Sequence, residues 1–304
     1  MATGVGHEGL GAVSDRQPAG SDDAGSTTIP RVSVVMPVYD AGQPLQRALD
    51  SVAAQTFADR ELVIVDDGSR DATTLTLLDA AATRPGVWLH RTPNRGPSRA
   101  RNLAIEHARG AYILPLDADD WLEPTYLAQT VPLLDADSGL GVVHTWVGLT
   151  GEHHGVWRTG PFALPDLLSN CTVHVTSLYR REIWQQAGGY DAIFVDSSED
   201  WDLWLSALEH GWRGACVPEV LAWYRRSPRS RERAARRPGV PRKRMRDMVA
   251  KHRALYERHL EDAIAGLYEE LMQSGATLER IYNHPAVRAG LAVRRLLGGG
   301  KPPG

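Results

Sequence analysis

Cysteine is scarce in this chain, with two residues, Cys171 and Cys216, among 304. Both sit in apolar, strand-like surroundings without metal-ligand spacing. No disulfide framework or cysteine-based metal site is therefore expected, and a reducing compartment fits. Long apolar runs are missing as well. No stretch approaches 18 consecutive apolar residues, so no membrane-spanning helix is expected. The N-terminus has neither the basic nor the apolar region of a signal peptide, and a cytoplasmic location is the expectation. Charge of one sign is not in excess overall. A formal net charge of −3 offers no whole-protein field for nucleic acid, and none is expected as a partner. No G-x-G-x-x-G follows the first apolar run, which argues against a dinucleotide-dependent oxidoreductase, and no Walker A loop is present. No internal repeat is evident.

A hydrophobic content of 42% supports a sizeable core, in one large α/β domain or two smaller ones. Residues 1–30 are rich in Gly, Ser, Ala and Asp without apolar periodicity, and read as a disordered leader, with order beginning near Arg31. Val32–Met36 then forms a short buried-strand run. Leu45, Ala48, Leu49 and Val52 follow at helical spacing behind Pro44, a residue suited to a first turn. Leu62–Val65 and Val87–Leu89 read as further strands, with helices through Leu75–Leu78 and Ser98–Ala108 between and after them. Ala111–Leu116 is a fourth strand and runs straight into Asp117-Ala118-Asp119-Asp120. This alternation predicts a mostly parallel sheet with helices on both faces. The second half is less regular: Val142–Val147, Val173–Leu178 and Val217–Tyr224 alternate like strands. Trp201, Trp204, Leu205 and Leu208 keep helical spacing, and charged helices follow Pro241.

In such sheets ligands bind beyond the carboxyl ends of the strands. Pro37-Val38-Tyr39-Asp40, Asp66-Asp67-Gly68-Ser69 and Asp117-Ala118-Asp119-Asp120 all fall there. Each alone is an ordinary turn composition; together they mark a site. In an extended segment Asp117 and Asp119 point the same way. Two aligned carboxylates suit magnesium or manganese shared with substrate phosphates. Asp66 and Asp67 can accept from a base N–H or ribose hydroxyls, and Tyr39 offers an aromatic face.

Val32–Asp40, Val65–Ser69, Asn94-Arg95-Gly96, Ala100-Arg101-Asn102 and Leu116–Asp120, in that order and spacing, resemble the family 2 glycosyltransferases of GT-A fold. The resemblance covers about residues 31–225. It implies an α/β fold, a mostly parallel sheet flanked by helices, and inverting, non-processive transfer from a nucleoside-diphosphate-sugar to an acceptor hydroxyl. It places Pro37, Val38, Tyr39 and Asp67 around the base and Asp117 near the ribose. Asp119 becomes the ligand of a magnesium or manganese ion on the diphosphate, and Arg95 and Arg101 contact the nucleotide or organise its loop. Asp40, Asp66, Asn94, Ala118 and Glu199 complete the expected donor set. Asp200, in Ser198-Glu199-Asp200-Trp201, matches the family's catalytic base, with Glu199 as the alternative, and a paired acid, Glu199 or Asp202, helps raise its pKa. Read without the family, Ser197-x-x-Asp200 is a capping box and its acids belong to a helix's first turn.

One departure concerns the metal. Where relatives carry a histidine after a Tyr-Arg pair, this chain reads Tyr224-Arg225-Arg226-Ser227. Either Asp119, diphosphate and water hold the ion alone, or Arg225 and Arg226 share the neutralisation. The Gln-x-x-Arg-Trp pattern of processive relatives is absent. Two rival functions remain. A sugar nucleotidyltransferase needs a Gly-rich basic loop after the first strand, which Pro37–Asp40 does not supply. A silent binding module needs the base or the metal aspartate to be missing.

Of the remaining candidates, His153 and His154 read as solvated turn residues, and His144 and His174 as packing residues. Trp201 and Trp204 read as core, while Trp121 and Trp146 are candidates for an acceptor groove. Residues 226–304 read as a basic, helical C-terminal extension. Arg225 to Arg258 carries an excess of roughly ten positive charges, which fits a solvated segment, a homodimer surface, or peripheral contact with an anionic inner membrane near a lipid-linked, glycan or small-molecule acceptor.

Overall fold

A computed structural model describes residues 29–194, 198–227, 231, 235 and 237–285, with backbone only at 281–282. The leader expected at residues 1–30 therefore lies almost wholly outside the described residues.

The first half alternates as the periodicity predicts. Strand β1 (Val32–Val38) leads to α1 (Pro44–Ala53), β2 (Arg60–Asp66) to α2 (Ala72–Ala81), β3 (Val87–Arg91) to α3 (Pro97–His107), and β4 (Tyr112–Pro115) closes the series. These strands stand in the order β3-β2-β1-β4, every pairing parallel. Alternation sorts their side chains to two cores. Val34, Met36 and Val38 pack with Leu45, Leu49 and Leu78 on one face. Val35, Val63 and Ile113 pack with Ala104, Ile105 and Trp204 on the other. Burial on both faces makes β1, β2 and β4 near-continuous apolar runs, whereas β3, at the sheet edge, is only partly buried.

The second half adds β5 (Trp121–Leu122), α4 (Tyr126–Ala136), β6 (Leu140–Gly151), β7 (Gly155–Trp157), α5 (Leu164–Ser169), β8 (Leu178–Arg180), α6 (Arg181–Ala187), α7 (Glu199–Glu209) and β9 (Arg213–Arg226). Here the sheet turns mixed. Strand β8 is antiparallel to both β4 and β6, β6 runs parallel to β9, and the short β5 returns antiparallel on β9. The expected strand Val173–Leu178 is shorter and later than its alternation predicts. Ser177 bonds back to the His174 carbonyl, and only Leu178 belongs to a strand. Cys171 likewise lies outside any strand, while Cys216 sits on β9; both are free thiols. Among the described residues the C-terminal part then forms α8 (Val240–Lys251), α9 (Arg253–Arg258) and α10 (Leu260–Asn283). Among the described residues no helix is long and apolar enough to cross a membrane.

Candidate active site

Because β1, β2 and β4 run parallel, the segments that follow them reach the same sheet edge. Past β1, Pro37 is partly buried. Val38 points into the core, and its carbonyl accepts the Asp67 N–H at 2.8 Å. Val38 thus reaches the site through its backbone alone. Tyr39 is 53% exposed, which leaves its ring face open to a base. Asp40 takes a left-handed backbone with φ of 43°. Its carboxylate accepts the Arg70 and Asp71 N–H groups at 2.6 and 2.9 Å, tying the first loop to the second.

Past β2, Asp66 accepts the Ser69 N–H at 2.9 Å. Asp67 is buried, and its two oxygens accept the Arg95 and Gly96 N–H groups at 2.7 and 2.8 Å. Asp67 therefore shapes the loop carrying Asn94 and Arg95, whose side chains are exposed. Gly68, with φ of 81°, lets that loop close in. A Cβ there would stand 2.9 Å from the Asn94 nitrogen.

The acidic cluster past β4 is four residues with four different surroundings. Ala118 is buried in the core. Asp117 is partly exposed and receives a 2.6 Å hydrogen bond from Arg101. Burial works against its charge, but the Arg101 and Arg231 guanidiniums outweigh that and hold its pKa below the ordinary carboxylate value. Asp119 is partly exposed, 3.4 Å from an Arg225 nitrogen. Burial, then the Asp117 charge, raises its pKa to about 6. Asp120 is fully buried. One oxygen accepts the Arg225 N–H at 2.8 Å and the other has no partner. Burial and the two neighbouring carboxylates push its pKa well up. Its turn position understates it: Asp120 ties the cluster to β9.

Helix α7 begins at the same place. Glu199, Asp200 and Asp202 occupy its first turn, where acids meet the positive end of the helix dipole. Ser198 at the N-cap makes no side-chain cap bond, and Ser197 lies outside the described residues. Arg101 binds Asp117 through one guanidinium nitrogen and Glu199 through the other, each at 2.6 Å, with 1% of its side chain exposed. One buried arginine thus joins the acidic cluster beyond β4 to the helix bearing Asp200. Arg231 adds a second bond to Glu199 at 2.8 Å. Despite burial, these two cations keep the Glu199 pKa low. Among the described residues Asp200 has no cation bonded to it. Burial, and then the Glu199 charge, raises its pKa to about 7, with the Trp201 N–H opposing at 2.9 Å.

Sequence reasoning missed Arg231 and understated Asp120, while His174 is the packing residue it predicts. Arg231 lies in the basic run but has no motif around it. His174 is buried, packs against Tyr224 and Trp157, and feels the Asp117 charge. Burial lowers its pKa to about 4, so the ring is neutral at physiological pH. Trp121 does not line a groove: it is buried and stacks on Trp223 under the Arg47 guanidinium. His153 and His154 are exposed, and His144 is buried against Thr159.

The fit to a divalent ion rests on Asp119. Among the described residues no three His, Cys, Asp or Glu side chains gather to hold a metal. Asp117 is bonded to Arg101 and Asp120 is buried, so Asp119, partly exposed and 3.4 Å from Arg225, is the acid most open to an ion. Its raised pKa marks a carboxylate that a cation would stabilise. The residues fit an ion completed by ligands from substrate and solvent.

The profile of Glycosyl transferase family 2 matches residues 33–193, and that of Glycosyltransferase like family 2 matches residues 166–240. The chain belongs to glycosyltransferase family 2. A putative glycosyltransferase, EpsE of Bacillus subtilis, is 30% identical over 200 residues, covering 63% of this chain and 72% of EpsE. The hyaluronan synthase of Pasteurella multocida is 28% identical over 194 residues, covering 62% of this chain. This family 2 chain spans only 20% of that synthase's length. Among solved structures, S. aureus TarS 1-349 in complex with UDP-GlcNAc superposes with a TM-score of 0.57 at 20% identity, over 66% of this chain and 60% of that one. The mannosyltransferase PcManGT from Pyrobaculum calidifontis, in complex with GDP-Man and Mn2+, gives 0.53 at 23% identity, over 90% and 86%. These superpositions show the GT-A fold that the strand order implies.

Proposed function

We propose that this family 2 member transfers a sugar from a nucleoside-diphosphate-sugar to an acceptor hydroxyl, with inversion at the anomeric carbon. The Arg101 bridge carries the reading: it sets the cluster beyond β4 and the start of α7 around one buried cation. The catalytic unit is residues 31–225, and residues 226–304 are its extension.

Tyr39 and the loops ordered by Asp40 and Asp67 receive the nucleotide, with Asp66, Asn94 and Arg95 beside it. Asp117, oriented by Arg101, faces the ribose. Asp119 would hold a magnesium or manganese ion, which supplies charge neutralisation to the diphosphate leaving group. Arg225, beside Asp119, adds fixed positive charge to the same place. Asp200 takes the proton from the acceptor hydroxyl as that oxygen bonds to the anomeric carbon. The bond from that carbon to the diphosphate oxygen breaks, and the nucleoside diphosphate leaves with the electron pair. A base with a pKa of about 7 is half-deprotonated near neutrality while still basic enough to accept the proton. Glu199 stays ionised and tunes it. The GDP-Man and Mn2+ in PcManGT and the UDP-GlcNAc in TarS support a nucleotide-sugar donor and a divalent ion for this chain.

A panel of nucleotide-sugars, with and without Mn2+, tests this on the wild type, Asp119→Ala and Asp200→Asn. Donor turnover should need the ion, weaken with Asp119→Ala, and fall about 100-fold or more with Asp200→Asn. Turnover that is indifferent to metal and to both substitutions would overturn the mechanism.

A further inference from the structure

Around the first turn of α7 the acids outnumber the cation sealed in with them. Asp117 and Glu199 are both bonded to one guanidinium, that of Arg101. Two carboxylates and one cation leave a net negative charge inside the protein. An uncompensated buried charge is costly, and a carboxyl nearby avoids adding a second by keeping its proton. Asp200 follows Glu199 in the chain and feels both its charge and that of Arg101. With Arg101 alone, Asp200 would face net negative charge and hold its proton.

Arg231 changes that balance. Its Nη2 donates to Glu199 at 2.8 Å, and to the same oxygen, Oε1, that Arg101 binds. The other oxygen, Oε2, is buried without a partner, as is Arg231 Nη1. Two guanidiniums now stand against Asp117 and Glu199, and their charges cancel. An ionised Asp200 then becomes the one net charge of the group. The Arg231 charge also reaches Asp117 and Asp200 directly. The two arginines differ in origin and access. Arg101 comes from α3 and is sealed in, whereas Arg231 lies beyond β9, in the C-terminal extension, with 35% of its side chain exposed. Four residues on, Ala235 is buried.

The other groups near Asp200 leave this balance in place. Cys171 and Tyr190 face it with a thiol and a phenol, and burial raises the pKa of both, so they stay neutral. Asp202, on the same turn, is bonded to Lys251 and His252. Asp119 stands beside Arg225, and Arg244 lies over the Trp201 ring.

We propose, on the reading of Asp200 as the base, that Arg231 is a positioning residue for the transfer: through Glu199 it completes the neutralisation of the buried acids, and so lets Asp200 carry the negative charge that takes the acceptor proton. The extension beyond β9 thereby supplies a working part of the reaction centre. Loss of the Glu199 charge and loss of the Arg231 charge act on Asp200 in opposite directions.

The test compares pH profiles of kcat/KM for the wild type, Arg231→Gln and Arg231→Lys, with circular dichroism confirming the fold of each. Arg231→Gln should move the acid limb up by about 1 pH unit, so that activity falls about tenfold near pH 6 and little near pH 9. Glu199→Gln should move the limb the other way. Arg231→Lys restores the charge and should return the limb toward its wild-type position. Carboxyl-carbon NMR of aspartate-labelled protein follows Asp200 without any substrate, its signal being the one lost in Asp200→Asn. That titration should also move up with Arg231→Gln. An Asp200 titration that ignores Arg231→Gln would overturn the proposal, as would a limb displaced equally by Arg231→Lys. A raised donor KM with limb and titration both unmoved would assign Arg231 to the donor diphosphate instead. A titration that moves while the limb stays would keep the link from Arg231 to Asp200 and take the base role from Asp200.

Discussion

Asp200 and Glu199 are adjacent acids held in opposite states. Glu199 has Arg101 and Arg231 and stays ionised; Asp200 has burial and the Glu199 charge, and its pKa rises to about 7. A base must be deprotonated to act, so kcat/KM should fall as pH drops through about 7 and level off above it. Glu199→Gln removes the charge that raises Asp200 and should move this limb to lower pH. A pH–rate profile of both proteins checks it, and an unmoved limb would detach Glu199 from the base. The same shift affects stability. The folded-state pKa of Asp200 lies above its unfolded value, so the group favours folding below the ordinary carboxylate range and loses that contribution as pH rises through about 7. Asp200→Asn should therefore raise Tm at pH 8 relative to wild type, with the gap closing toward pH 4. Arg101 is the reverse case: both its acids depend on it. Arg101→Ala takes the partner of Asp117 and leaves buried Glu199 with Arg231 alone, and should cost about 1–3 kcal/mol in a denaturant titration.

At the scale of elements, the turns after β1, β2 and β4 make the site, and each turn is fastened by the side chains of another. Asp40 bonds the turn after β2, Asp67 bonds the loop before α3, and Asp120 bonds β9. Gly68 is the tightest point of this lacing. Gly68→Ala meets both a left-handed φ and the Asn94 backbone, and should cost about 1–3 kcal/mol. Isothermal titration should show nucleotide binding weakened more than the loss of stability alone explains, because the Asn94-Arg95 loop must retreat. Strands β1, β2 and β4 were legible because burial on both faces writes a plain apolar run. Strand β8 was not, since three residues are too few for a period, and the alternation at Val173–Leu178 belongs mainly to a buried loop.

Across the whole molecule, the C-terminal helices are fastened to α7 by charge. Lys251 and His252 both bind Asp202, at 2.8 and 2.9 Å, and Glu209 stands 3.0 Å from the other His252 nitrogen. Burial works against the imidazolium, but Asp202 and Glu209 outweigh it and raise the His252 pKa. A raised histidine stabilises the fold below its unfolded pKa and ceases to do so as pH rises through its folded value. His252→Ala should cost about 1–3 kcal/mol, more at pH 6 than at pH 9, and should speed hydrogen exchange in α8 and α9. Equal loss at both pH values would show packing alone at work.

Sequence by itself determined the strand–helix order of the first half, the three polar segments at one sheet edge, and the acids that define the family. Those features are local: a period of 2 or 3.6 and a motif each lie within a few residues of chain. Only the tertiary structure decided how the acids divide their work. Asp117 and Glu199 are far apart in sequence, and nothing local shows that Arg101 fills the space between them. It also showed Asp67 and Asp120 turned to backbone N–H groups, Val38 and Ala118 turned into the core, and Arg231 brought to Glu199. A carboxylate's charge state and role follow from its burial and its partners, and those are set when distant segments meet.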